Sequence, residues 1–183
     1  LLKIAKKYNL KIIEDCAQAF GSKHKKNFVG TFGDVAALSF HPLKTLGTIG
    51  DGGMILTNKK RIYDNCIKSR NHGHYCRDDI NFFSDNSRLD DIHAGFLQVQ
   101  LKQYDKVIKY RNDLAKRYKE RLNRIVLFPV INDCDLSVYS NFMIIVKNRK
   151  RLIKHLNKES IETKIHYPKL INKDWLCLTN LIM

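Results

Sequence analysis

The stretch Leu38-Ser39-Phe40-His41-Pro42-Leu43-Lys44, closed by Gly50-Asp51-Gly52-Gly53, hangs a lysine on a turn between two short apolar runs. Strands favour β-branched and aromatic residues, whereas turns favour Gly, Pro and Asp. Residues 36–40 therefore read as a buried strand that Pro42 ends, and residues 53–57 as the next strand. Gly47 and Gly50 permit a bent loop between them. Lys44 is thus expected over the end of a sheet. Taken alone, it is an ordinary solvated loop residue in a chain with 33 Lys and Arg.

Twenty-nine residues before Lys44, residues 10–18 read as a strand that ends in the carboxylate of Asp15, with polar Gln18 three positions on. In open α/β sheets ligands sit beyond the carboxyl ends of the strands, so Asp15 and Lys44 are expected to share one crevice. That pair suits pyridoxal phosphate chemistry. A lysine holds the cofactor aldehyde as a Schiff base, and an acid keeps the pyridine nitrogen protonated so that the ring accepts electrons.

Asp15-Cys16-Ala17-Gln18-Ala19-Phe20-Gly21, Gly33-Asp34, Ser39-Phe40 with Lys44, Gly50-Asp51-Gly52-Gly53, Arg70-Asn71-His72-Gly73 and Asn86-Ser87-Arg88-Leu89-Asp90 follow one another in a set order. This order resembles the DegT/DnrJ/EryC1/StrS aminotransferases, from about Ile12 to Tyr167. The resemblance implies an α/β, fold-type I pyridoxal phosphate enzyme. It implies conversion of a keto group on a nucleotide-linked sugar to an amine, with glutamate as the usual donor. Lys44 corresponds to the Schiff-base lysine and Asp15 to the partner of the pyridine nitrogen. Gln18 resembles the residue that hydrogen-bonds the phenolic oxygen, and Ser39 the serine on the cofactor phosphate. Asn86 matches an asparagine that reaches that phosphate from a neighbouring subunit, which implies a homodimer with shared sites. His166-Tyr167-Pro168 resembles a stretch near the substrate, but Lys169-Leu170-Ile171 departs from the family pattern, and His166 receives no role.

Each residue also has a plain structural reading. Asp15 caps a loop, Ser39 bonds to backbone, and Asn86 is a helix N-cap shortly before Leu89. Found together in family order, they favour function. A dehydratase on the same scaffold is the alternative chemistry, but members with that activity carry histidine where this chain has Lys44. His72 and His74 flank Gly73 like a metal pair, yet no further ligands stand at suitable spacing, so they read as loop residues and no metal is expected.

The 33 basic and 18 acidic residues give a net charge of +15, which invites a nucleic-acid reading. The basic residues are scattered over expected turns and helix faces, with no helix-turn-helix, zinc-finger or RNP pattern. A positive surface also attracts a nucleotide diphosphate sugar. Five widely spaced cysteines without a C-x-x-C point to free thiols and a cytoplasmic protein. No apolar run approaches the ~20 residues of a membrane span.

Helices are expected over residues 1–9, 59–70, 89–103, 104–122 and 149–157, with Ile92, Phe96 and Val99 at helical spacing in the third. In the fourth, Val107, Tyr110, Leu114 and Tyr118 read as a core stripe. Residues 71–87 read as a polar loop, and residues 125–130 and 142–146 as strands. The division expected is 1–122, the C-terminal part of a large-domain sheet, and 123–183, the beginning of a small α+β domain. The chain opens directly on a helix, without a start methionine. The family's upstream glycine-rich phosphate turn and ring-stacking aromatic have no counterpart, so the sequence reads as a piece of a longer enzyme or one product of a split gene, inactive alone or a non-catalytic remnant that needs a partner chain.

Overall fold

Alternation along residues 35–39 sets the sheet: Ala36 and Leu38 point one way and are buried, while Ala37 points the other way and is exposed. The computed structural model describes residues 1–165, 167 and 168. In chain order the elements are α1 (Leu2–Lys7), β1 (Ile13–Asp15), β2 (Lys23–His24), β3 (Asn27–Phe28), β4 (Val35–Ser39), β5 (Gly53–Leu56), α2 (Lys60–Ser69), α3 (Asp91–Leu101), α4 (Tyr104–Leu122), β6 (Asp135–Leu136) and α5 (Arg149–Lys158). The chain falls into two units, Leu1–Ile144 and Ile145–Met183, and every element except α5 lies in the first.

The central sheet has the order β1-β4-β5. β1 runs parallel to β4, with Asp15 opposite Ala37, and β5 runs antiparallel, with Ser39 opposite Gly53. One face is covered by a core of Cys16, Ala36, Leu38, Phe40, Leu46, Leu97 and Tyr104. On the other face Ile13, Ala37 and Ile55 are exposed among the described residues. Parallel strands are ordinarily covered on both sides, so this face is unusually bare.

Glu14, on the covered side, anchors β1. Its carboxylate accepts from the backbone amides of Gly30, Phe32 and Gly33 at 2.8, 2.7 and 2.6 Å. Gly33 is needed there because a Cβ would come within 2.8 Å of the Ile12 carbonyl oxygen.

Several expectations change. The strand at residues 10–18 shortens to Ile13–Asp15, and Cys16 to Gln18 turn away from the sheet. Residues 125–130 and 142–146 are not strands; each holds at most one bridge residue, Leu127 and Ile145. An apolar run becomes a strand only when another backbone takes its N–H and C=O groups, and the short strand of this region is β6 instead. β6 pairs with β2, which forms a hairpin with β3 around Lys25 at φ 56°.

The helices expected at residues 59–70, 89–103, 104–122 and 149–157 form with small shifts at their ends. Their buried faces differ from the apolar spacing. In α4, Val107, Tyr110 and Tyr118 are exposed, and the buried side carries Tyr104, Ile108, Arg111, Asn112 and Ala115. Polar residues occupy that face because they reach carbonyls: Arg111 Nη1 donates to Tyr139 at 2.9 Å, and Asn112 Nδ2 to Ser137 at 3.0 Å. In α3, Ile92, Phe96 and Val99 likewise face outward, and Leu97 is the buried residue. Among the described residues no helix is long and apolar enough to cross a membrane.

Candidate active site

Two parallel strands bring Asp15 and Ser39 to neighbouring carboxyl ends, because β1 stops at Asp15 and β4 at Ser39. Beyond Ser39 the chain makes the loop that carries Lys44. Its base is closed where the Phe40 amide donates to Gly52 and the Phe40 carbonyl accepts from Thr48, both at 2.7 Å. Inside it the Lys44 amide donates to the His41 carbonyl at 2.8 Å, and the Leu43 amide to His41 Nδ1 at 3.1 Å. Gly47 lets the loop double back, since a Cβ would sit 2.7 Å from that same His41 carbonyl oxygen. Leu46 and Thr48 are buried and root the loop in the core, with Thr48 Oγ1 donating to the His93 carbonyl at 3.3 Å.

The candidate groups here are lightly committed. Asp15 is exposed, and its Oδ1 accepts from the Ala17 amide at 3.1 Å, a local turn that leaves Oδ2 without a hydrogen-bond partner among the described residues. Ser39 Oγ accepts a long contact of 3.4 Å from the His41 amide, and its hydroxyl proton has no acceptor among them. The Lys44 ammonium has no carboxylate within ion-pair distance among them. A carboxylate and a hydroxyl at neighbouring strand ends, with an amine on the loop that follows, are polar groups of the kinds that an aldehyde-bearing pyridine phosphate would need.

Gln18 lies just past the turn, and its Oε1 accepts from Ser140 Oγ across 122 positions of sequence. Sequence reasoning missed Ser140, which no local pattern marks. Cys16, next to Asp15 in the chain, is fully buried in the core, and burial, aided by the charges of Glu14 and Asp15, pushes its thiol pKa up, so it stays protonated. Asn86 stands apart. It pairs with Asn71 as a bridge, its Oδ1 accepts from the Arg88 amide at 3.3 Å, and no described contact joins it to Asp15, Ser39 or Lys44. The N-cap of α3 is Asp90, not Asn86. His72 and His74 do lie in a loop, their ring centroids 6.4 Å apart. His166 lies outside the described residues.

One cluster, His24, Cys134 and Asp135, offers three ligand atoms within 4.8 Å of one another. His24 Nδ1 and Asp135 Oδ1 are in direct contact at 2.6 Å, whereas two ligand atoms on one tetrahedral zinc lie ~3.3 Å apart. The contact is therefore a hydrogen bond that closes β2 against β6. Asn132 and then His24 draw the Asp135 carboxyl down to about 2.

The family model described as the DegT/DnrJ/EryC1/StrS aminotransferase family matches residues 1–176. The chain belongs to that family. It is 37% identical over 177 residues to a GDP-perosamine synthase of Escherichia coli O157:H7, covering 92% of this chain and 48% of the relative. To a dTDP-3-amino-3,6-dideoxy-alpha-D-galactopyranose transaminase of Aneurinibacillus thermoaerophilus it is 40% identical over 166 residues, with 90% and 46% covered. Among solved structures it superposes on S. venezuelae DesV in complex with a ketimine intermediate, with a TM-score of 0.88, 32% identity and 92% and 46% of the two chains covered. The chain spans about half the length of these relatives. Its architecture is that of a fold-type I α/β transferase.

Proposed function

We propose that this family member serves a pyridoxal phosphate-dependent aminotransferase that turns a keto group of a nucleotide-linked sugar into an amine, with glutamate as donor. The observation that carries the reading is the meeting of Asp15 and Ser39 at adjacent parallel strand ends, with Lys44 on the loop that follows. Relatives named for GDP- and dTDP-sugar amination support the substrate class.

When bound, the cofactor supplies an aldehyde for an amine and a ring that accepts electrons. Within this reading Lys44 would supply the amine that holds the cofactor; its free amine would take the proton from the α-carbon of the donor and, in the second half of the reaction, give one to the sugar carbon that gains the amine. Asp15, held by the Ala17 amide through Oδ1, presents Oδ2 as the anion opposite a protonated ring nitrogen. Ser39 donates its hydroxyl to the phosphate, and Gln18, steadied by Ser140, donates its amide to the phenolic oxygen. Asn86, exposed on its own loop, serves the site of a second subunit, so the working unit is a homodimer of the cytoplasm. Residues 1–122 belong to the large domain, and 123–183 begin the small one. The net charge of +15 favours encounter with a nucleotide diphosphate.

The test is amino transfer by the natural polypeptide that contains this chain. With pyridoxal phosphate, glutamate and a nucleotide-linked keto sugar, one 2-oxoglutarate should form for each aminated sugar. A cofactor-loaded protein that aminates no such sugar overturns the reading.

A further inference from the structure

We propose that the Tyr104 hydroxyl is a positioning group for Lys44, tying the loop that carries the lysine to the turn that follows Gln18. This rests on the aminotransferase reading for the importance of Lys44, while the tether itself rests on geometry alone. Tyr104 is the first residue of α4 and only 4% exposed. Its hydroxyl lies 2.7 Å from the Phe20 carbonyl oxygen and 2.8 Å from Thr45 Oγ1. A phenol has one proton, and a carbonyl can only accept, so the chain of bonds has one direction. Thr45 donates to the Tyr104 oxygen, and Tyr104 donates to Phe20.

The consequence for Lys44 is fixation from both sides. Upstream, its own amide is bonded to His41; downstream, the adjacent residue is held by Tyr104. The other end of the tether is two residues from Gln18, so one hydroxyl sets the spacing between the lysine loop and the Gln18 turn. The ring is seated for this. It packs edge-on against Phe20, with centroids 5.2 Å apart, and Gly21 leaves the space, since a Cβ there would come within 2.9 Å of the Tyr104 ring. Burial raises the phenol's pKa, which keeps it a neutral donor. An apolar side chain at position 104 would fill the same cavity without joining the two segments. A buried phenol costs desolvation unless it is bonded, so the hydroxyl is better explained by its two partners than by packing.

Tyr104→Phe keeps the ring and removes the link, and Thr45→Val removes it from the other end. In the cofactor-free chain, amide hydrogen exchange of residues 41–48 should quicken roughly 10-fold in either variant, while β4 and α3 stay as protected as before. The double variant should add little to either single one, as expected for two ends of one interaction. With pyridoxal phosphate present, the concentration that gives half-maximal borohydride labelling of Lys44 should rise about 10-fold in both variants, a readout that packing alone does not move. Unchanged exchange at residues 41–48, or effects that add in the double variant, would overturn the tether. Exchange that quickens as stated, in a protein whose Lys44 takes no label even unsubstituted, counts against the aminotransferase reading and leaves the tether standing.

Discussion

The Glu14 carboxylate lies 2.6 Å from the Gly33 amide, and the same group takes up the amides of Gly30 and Phe32. Because successive strand residues face opposite sides, fixing Glu14 beneath the sheet turns its neighbour Asp15 to the other side. A structural acid thereby aims the candidate one.

Glu14→Ala should destabilise the first unit by about 3 kcal/mol, since three amides lose a charged acceptor together. Glu14→Gln, which retains one accepting oxygen, should cost less. Denaturant unfolding measures both; equal stability of Glu14→Ala and the unsubstituted protein would show that the amides find other partners.

Lys44 is the expected attachment point of pyridoxal phosphate. The natural polypeptide with cofactor should absorb in the visible range, and borohydride should leave the label on the peptide that contains residues 41–48. Lys44→Arg should abolish that label. Recovery of the label on any other lysine would remove Lys44 from the site.

Asp15→Asn separates charge from geometry, because the asparagine oxygen still accepts from the Ala17 amide and holds the turn. Labelling of Lys44 should persist, while turnover should fall by about 100-fold or more. An Asp15→Asn protein with near-normal turnover would show that no anion is needed opposite the ring nitrogen.

The hydrogen bonds that hold Asp135 between β2 and β6 predict a pH dependence. Asp135 has its folded pKa lowered from 3.8 to about 2, so the stability it contributes is present above pH 3.8 and is lost as pH falls toward 2. Asp135→Asn should remove this part of the dependence, giving a flatter plot of melting temperature between pH 4 and 2. Parallel plots for the two proteins would mean that the pairing with Asn132 and His24 does not persist in solution.

Where the candidate groups stand on strand and loop is legible in the sequence. Pro42 and the glycines mark the loop of Lys44, the apolar runs mark β4 and β5, and Asp15 at the end of β1 follows from the same pattern. Such features are local: they depend on allowed backbone angles and on period-two burial, both written in adjacent residues. The family assignment rests on the same motifs, read in order.

What only the tertiary structure decided is which groups meet across long separations. Apolar spacing put Val107 and Tyr110 inside, but Arg111 and Asn112 take that side of α4 because the carbonyls of Tyr139 and Ser137 wait there. Residues 125–130 are as apolar as a strand and lack the ladder of one, whereas the polar pair Lys23–His24 becomes a strand because β6 lies alongside. Ser140 on Gln18 and Tyr104 on Thr45 leave no trace in sequence. Periodicity reports how much each side chain gains by leaving water; a hydrogen bond between residues 59 or 122 positions apart depends on where the folded backbone brings donor and acceptor, and that is fixed only when the whole core packs.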